Sequence, residues 1–93
     1  MVILHLTARS DTADALKAVL LRIAQHSRSE AGCISYRVLQ DLADKCNFTL
    51  VEDWVDAAAL AYHMTLPHTR QGFAEGLPLL ARELDMRRLV EVG

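Results

Sequence analysis

The stretch that decides the fold reads EAGCISYRVLQDLADKCNFTLVEDWV and covers residues 30–55. Side chains alternate on both sides of a polar loop, Gln40–Lys45, which predicts two strands, Cys33–Leu39 and Phe48–Val55. Because a short loop joins them, we expect an antiparallel hairpin. Alternate residues of a strand point to opposite faces. The residues that should share a face are Ile34, Tyr36 and Val38 in the first strand and Phe48, Leu50, Glu52 and Trp54 in the second.

Helices and two further strands are predicted around this hairpin. An apolar stripe at helical spacing follows the N-cap residues Ser10–Thr12, and Gly32 should stop that helix. Pro67 should interrupt the later helical pattern, because proline lacks an N–H and restricts the residue before it. The predicted elements are a strand Val2–Ala8, a helix to Ser29, a short helix Ala57–Met64, a helix His68–Gly76 that could restart at Pro78 and reach Glu83, and a strand Met86–Val92.

The element order β-α-β-β-α-β predicts an α+β fold of the ferredoxin-like, split βαβ type with an antiparallel sheet. A chain of 93 residues forms one domain, 1–93. Hydrophobic residues make up 52% of it, which is more than a small core needs. Both faces of the predicted strands are substantially apolar. We therefore expect the sheet face without helices to pack against a second copy, in a homodimer.

Composition excludes several classes of protein. The net charge is −2 and the pI is near 6.0, which argues against nucleic acid as the main partner. No apolar run approaches the ~20 residues of a membrane span. The N-terminus lacks the basic segment of a signal peptide. Cys33 and Cys46 form no CxxC pair and no metal knuckle, so we expect reduced thiols, no metal and a cytoplasmic location.

Three motifs resemble those of the antibiotic biosynthesis monooxygenase (ABM) family. Glu30 to Tyr36 resembles its E-x-G-C-hydrophobic-x-Y signature, Glu52-Asp53-Trp54 resembles its E-x-W strand, and His63 to His68 resembles its H-x-x-x-P-H helix break. The chain is most similar to the branch with quinol monooxygenases and an autoinducer-processing isomerase. The resemblance implies a dimeric α+β barrel with one pocket per subunit between helices and sheet. It also implies insertion of one oxygen atom from O₂ into an electron-rich aromatic without flavin, metal or haem.

Departures from the family narrow the expected substrate. Anthrone-oxidising members carry an Asn where this chain has Leu50 and a pocket Tyr where it has Leu60. The Asn–Trp–His set of haem-degrading relatives is not evident. A small quinol, phenol or dicarbonyl is therefore expected rather than a polyketide or haem. An isomerase or enolisation enzyme using the same His and Tyr, or a ligand-binding dimer without catalysis, are the alternatives.

His63 and Tyr36 are the candidate catalytic residues. His63 can exchange a proton near neutral pH, and the Tyr36 hydroxyl can position a substrate oxygen. The candidate substrate-binding residues are Trp54, Phe73, His5 and His68. Each has a structural alternative: Trp54 and Tyr36 as core aromatics, His63 bonded to a backbone carbonyl, His68 in a backbone or capping role, and His5 at a dimer interface.

Two further side chains near the motifs have ambiguous roles. Glu52 shares a face with Trp54 and could be a base with a raised pKa. It could instead pair with an arginine across the dimer, with Arg37 and Arg87 as possible partners. Cys33 follows Gly32 and is expected to pack as a small apolar side chain rather than to act as a reactive thiol.

Overall fold

Four antiparallel strands form one sheet with the helices on one face, in a computed structural model that describes residues 1–93. The sheet order is β2-β3-β1-β4. The ferredoxin-like α+β fold is thereby confirmed. The strands are β1 Val2–Thr7, β2 Cys33–Gln40, β3 Asn47–Trp54 and β4 Asp85–Arg88; the helices are α1 Ala13–Ser27, α2 Ala57–Thr65 and α3 Pro67–Gly76, followed by a 3₁₀ turn, Leu77–Leu79.

The C-terminal part differs from prediction in two places. The restart at Pro78 gives one 3₁₀ turn and not a helix to Glu83, because Leu80 is already extended, with ψ 143°. Ala81 N–H then donates to the carbonyl of Thr7 at 2.7 Å, which ties this segment to the end of β1. The predicted strand Met86–Val92 is also too long. It ends at Arg88, which pairs with Val2, where β1 itself begins.

A β-bulge at the start of β2 changes which side chains face the helices. The register with β3 shifts between Cys33 and Ser35, so that Cys33 pairs with Trp54 and Tyr36 with Glu52. The prediction that Ile34 shares a face with Tyr36 is therefore wrong. Ile34 is 65% exposed, and Cys33 packs against the core in its place. The bulge supplies the extra residue that makes this exchange possible.

The core lies between the sheet and the helix layer. Its largest members come from α1 and from alternate positions of β1 and β3. The apolar stripe of α1 packs here as its spacing predicts. At Gly72 a Cβ would lie 2.3 Å from Cδ1 of Ile23, so glycine is needed for α3 to approach α1 this closely. The buried residues that represent this core are Leu4, Leu6, Leu16, Leu20, Ile23, Phe48 and Leu50.

The opposite sheet face carries more charged side chains among its apolar ones than the sequence predicts. A row of side chains crosses it in the order Arg37, Val51, Ile3, Arg87, with the two apolar residues in the centre. His5 lies in the neighbouring row, and its Nδ1 forms a hydrogen bond with the Thr49 hydroxyl at 3.1 Å. None of the helices has the length and hydrophobicity of a membrane span.

Candidate functional site

A buried carboxylate holds two imidazoles at the edge of the helix layer. Oε2 of Glu30 lies 2.8 Å from Nδ1 of His63 and 2.8 Å from Nε2 of His68. The side chains of His63, Glu30 and His68 are 3%, 8% and 23% exposed, so the cluster runs from the interior to the surface. The Glu30–His63 pair is therefore shielded from water, which strengthens its electrostatic interaction.

Local backbone geometry brings these three residues together. Helix α2 ends at Thr65 and α3 begins at Pro67, with Leu66 extended between them. The break places His63 and His68 on the same side of the chain toward Glu30. Gly32 allows α2 to approach the turn that carries Glu30, because a Cβ there would lie 2.4 Å from Cβ of Ala59. The motif glycine is thus a packing requirement of the site.

The hydrogen bonds define the tautomers of the two imidazoles. An ionised carboxylate only accepts, so His63 must carry a proton on Nδ1 and His68 a proton on Nε2. The hydroxyl of Thr69 lies 3.3 Å from the same Nδ1 of His63. Both hydrogen-bond contacts of His63 involve Nδ1. In the neutral imidazole, Nε2 is then an acceptor without a hydrogen-bond partner in the chain, which is the arrangement of a carboxylate-oriented general base.

Two aromatic rings surround this imidazole. The ring centroid of Trp54 lies 4.4 Å from that of His63, and the centroid of Tyr36 lies 6.1 Å from it. The structure therefore places the rings of Tyr36 and Trp54 next to that of His63. Burial raises the pKa of the Tyr36 hydroxyl, and the neighbouring Glu52 carboxyl adds to the rise. Tyr36 consequently remains a hydrogen-bond donor at neutral pH.

Glu52 completes the polar part of the cluster. It is 3% exposed, and Nε1 of Trp54 donates to its Oε1 at 3.1 Å. Burial raises the pKa of this carboxyl to about 7. The hydrogen bonds from Trp54 and from Tyr36 oppose the rise, and the Glu30 charge adds to it. Glu52 has no arginine partner within its own chain, and the pairing across the dimer stays a prediction. Arg37 lies on the opposite sheet face, and Arg87 bonds to Asp85 at 3.1 Å.

Glu52 should make the stability of the fold depend on pH. Because its pKa rises from 4.5 to about 7 on folding, its contribution is fully present below pH 4.5 and is lost as the pH rises through 7. The shift corresponds to on the order of 3 kcal/mol. Thermal unfolding of wild type and Glu52→Gln from about pH 5 to about pH 8 should show wild type losing stability relative to the variant. A constant difference across this range would contradict a raised pKa.

Cys33 packs beside this cluster as a neutral thiol. Burial raises its pKa, and the Glu30 and Glu52 charges add to the rise, while Arg28 opposes it. A thiolate is the nucleophilic form, so these surroundings disfavour a reactive cysteine. Cys33 and Cys46 are both free.

The other candidate residues lie apart from His63 or play a different role. The expectation that His5 lines the cavity is wrong, because it lies on the sheet face without helices. The backbone or capping role for His68 is also wrong, because its Nε2 bonds to Glu30 and its ring stacks on His26 with centroids 5.6 Å apart. Phe73 lines an apolar cavity that it shares with Tyr36.

That apolar cavity is too small for a ring. Its volume is about 20 Å³, and it lies between α1, α3 and the sheet. The pocket between helices and sheet that the family resemblance implies therefore has no room for a ring in this structure, and neither His63 nor Trp54 lines it. A second pocket of about 100 Å³ opens at the surface beside His26 and His68. Ile23 and Gly72 line both spaces, so their contact separates the interior from the surface pocket.

Sequence reasoning missed Glu30 as a functional residue. It stands in the E-x-G-C motif, but nothing in its spacing to His63 or His68 indicates that both imidazoles reach it. The same three residues are the group whose donor atoms could hold a metal ion, since these atoms all lie within 4.8 Å of one another.

Comparisons with known proteins match the part of the chain that carries this site. The family model described as "Antibiotic biosynthesis monooxygenase" matches residues 1–75. The protein described as "Putative monooxygenase YcnE", from Bacillus subtilis, is 33% identical over 66 residues, which are 71% of this chain and 70% of that protein. The uncharacterised protein sll1783 of Synechocystis is 29% identical over 89% of this chain, which spans only 56% of its length.

Solved structures share the whole fold. PA3566 from Pseudomonas aeruginosa is 33% identical, with a TM-score of 0.89, over 99% of this chain and 92% of that one. Rv0793 from Mycobacterium tuberculosis is 28% identical, with a TM-score of 0.92, over 99% and 93% of the two chains. The similarity therefore includes the elements that carry Glu30, His63 and His68.

Proposed function

Because the chain belongs to the antibiotic biosynthesis monooxygenase family, we propose that it oxidises a small electron-rich quinol or phenol with O₂ and without a flavin, haem or metal cofactor. The observation that carries the proposal is the buried Glu30–His63 pair, with Nε2 of His63 free beside Trp54 and Tyr36. These residues supply a base, an aromatic surface and a hydroxyl donor, which are the groups that such a reaction needs.

The first step of the proposed reaction is removal of a phenolic proton by Nε2 of His63. Glu30 stabilises the imidazolium that forms, because its carboxylate already accepts the Nδ1 hydrogen. Tyr36 donates to the resulting oxyanion, and Trp54 packs against the ring. The anion passes an electron to O₂ and recombines with it. For a simple hydroquinone the products are one hydroxyquinone and one water, which balances the four electrons taken up by O₂.

Substrate binding requires the interior to widen. The cavity of about 20 Å³ lies beside Tyr36, and Phe73 is its only aromatic lining residue besides Tyr36. Phe73 is only partly buried. We propose that Phe73 moves aside and then packs against the bound ring. The proposed substrate is accordingly a single small ring.

The proposal includes a homodimer in the cytoplasm. The apolar centre of the open sheet face, Val51 and Ile3, would pack against the same face of a second copy. Exposed Leu39 and Leu89 extend this apolar surface. Sedimentation equilibrium should give a mass of twice 10.4 kDa; a single protomer at micromolar concentration would contradict it.

Oxygen uptake is the direct test of the function. A panel of hydroquinones and catechols is incubated with the protein in air-saturated and in anaerobic buffer, with an O₂ electrode and product mass spectrometry. We expect turnover only with O₂, one molecule consumed per quinol, and one ¹⁸O atom from ¹⁸O₂ in the product. Turnover that continues unchanged without O₂ would overturn the monooxygenase proposal and favour an isomerase that uses the same base and hydroxyl.

A further inference from the structure

Glu30, His63 and His68 present the donor atoms of a metal site. Two imidazole nitrogens and one carboxylate oxygen are a ligand set that divalent first-row metals such as Zn²⁺ accept. In tetrahedral geometry, bonds of about 2.0–2.2 Å would place neighbouring donors about 3.4 Å apart. The two nitrogen–oxygen distances are 2.8 Å, and the three donor atoms lie within 4.8 Å of one another. Around an ion, the two nitrogen–oxygen distances would lengthen by about half an ångström.

An unpartnered carboxylate oxygen points to a missing ligand. Oε2 of Glu30 accepts from both imidazoles, whereas Oε1 is buried and has no hydrogen-bond partner. The Glu30 side chain is 8% exposed. Its Oε1 is the only buried side-chain polar atom in the chain that lacks a hydrogen-bond partner. A buried carboxylate oxygen without a partner is costly, and a cation would satisfy it.

The charge around the cluster also favours a cation. Burial raises the pKa of both Cys33 and Glu52, and the negative charge of Glu30 adds to each rise. Arg28 is the one cation that acts in the opposite direction on Cys33, and its guanidinium Nε donates to the backbone carbonyl of Tyr36. Access is available from the surface, because His68 borders the pocket of about 100 Å³.

We propose that Glu30, His63 and His68 bind one Zn²⁺-class divalent ion and that the bound ion turns the enzyme off. The ion takes the lone pair of Nδ1 of His63, so the ring proton must move to Nε2. Nε2 then donates and can no longer accept a substrate proton. The inhibitory part rests on the proposed function, whereas the binding part does not. Metal-bound and base-competent forms are mutually exclusive states of one imidazole.

Binding is tested with the metal-free protein and Zn²⁺ alone. Isothermal titration should give one ion per chain, with a Kd on the order of micromolar or tighter. Free Zn²⁺ at 100 times Kd should raise the unfolding temperature by about 10 °C. Co²⁺ should give visible d–d bands without a thiolate charge-transfer band. Absence of saturable binding, or a thiolate band from Cys33, would overturn the site.

Matched variants test the ligand set. Glu30→Gln and His68→Ala should each weaken Zn²⁺ binding by about 100-fold or more. His26→Ala removes an exposed imidazole that stacks on His68 without contacting Glu30, and it should bind like wild type. Circular dichroism of metal-free samples checks folding. If Glu30→Gln does not fold, the His68→Ala variant keeps the test available, because His68 is the most exposed of the three ligands. Unchanged affinity in His68→Ala would refute the proposal.

The activity readout is separate from the binding readout. In the oxygen-uptake assay, Zn²⁺ should inhibit wild type and His26→Ala at the Kd found by titration, and His68→Ala only at about 100-fold higher concentration. Stoichiometric binding without inhibition would overturn the inhibitory part alone. If no substrate turns over, the proposed function fails, while the titration still decides the metal site.

Discussion

Replacement of His63 by asparagine should lower kcat by about 100-fold or more. The amide nitrogen of asparagine can take the place of Nδ1 and keep the hydrogen bond to Glu30, now 2.8 Å long. The side chain then lacks an acceptor at the position of Nε2. The variant therefore removes the proposed base and retains the contact that satisfies the buried carboxylate. Steady-state oxygen uptake with the best quinol of the panel measures the loss.

A conservative replacement is needed because His63 is structural as well. Alanine would leave Glu30 with one fewer donor in a buried position, which costs stability on its own. His26→Asn is the matched control, since it removes an exposed imidazole from α1. Unfolding temperatures of all three proteins should be reported with their rates. A His63→Asn protein that folds and turns over at the wild-type rate would remove His63 from the mechanism.

Replacement of Trp54 by alanine should cost about 3 kcal/mol of unfolding free energy, at the lower end of the range for large aromatic residues. Trp54 is only partly buried, but its ring packs 4.4 Å from that of His63. The variant also removes the donor to Glu52, which raises the pKa of that carboxyl, and it opens the site to water, which lowers this pKa. Chemical denaturation at two pH values measures both effects.

Phenylalanine at the same position separates packing from hydrogen bonding. Trp54→Phe keeps a ring beside His63 and loses only the Nε1 donor. It should recover most of the stability. Because the ring keeps Glu52 buried while the donor is lost, the pKa of Glu52 should rise above its wild-type value. Near-wild-type stability in Trp54→Ala together with lost quinol affinity would assign Trp54 to the pocket wall alone.

The architecture was accessible from sequence because its patterns are local. The alternation of β2 and β3, the stripe of α1 and the break at Pro67 each follow from a period or a backbone restriction. The failures involve tertiary partners. The end of β4 is set by the position of Val2 on β1, and the face of Ile34 is set by a bulge against β3. A single strand pattern contains neither kind of information.

The candidate site was only half predictable for a related reason. His63, Tyr36 and Trp54 stand in motifs, and the fold brings them together. Glu30 precedes His63 by a hairpin and part of a helix, so its contact depends on how closely α2 packs on Gly32. His5 shows the opposite case. Its strand was predicted correctly, but the face was an open choice until the pairing with Thr49 was known.

The contact between Ile23 and Gly72 has a kinetic consequence. Ile23 lies between the surface pocket and the apolar interior, so a molecule that passed from one to the other would have to displace its side chain. A molecule that reaches Tyr36 by this route must wait for α1 and α3 to separate transiently. The rate of ligand binding would then be limited by how often the two helices separate, and the association rate constant would fall well below the diffusion limit. The packing of Ile23 against Gly72 would then limit the overall turnover rate, and the chemical step would not.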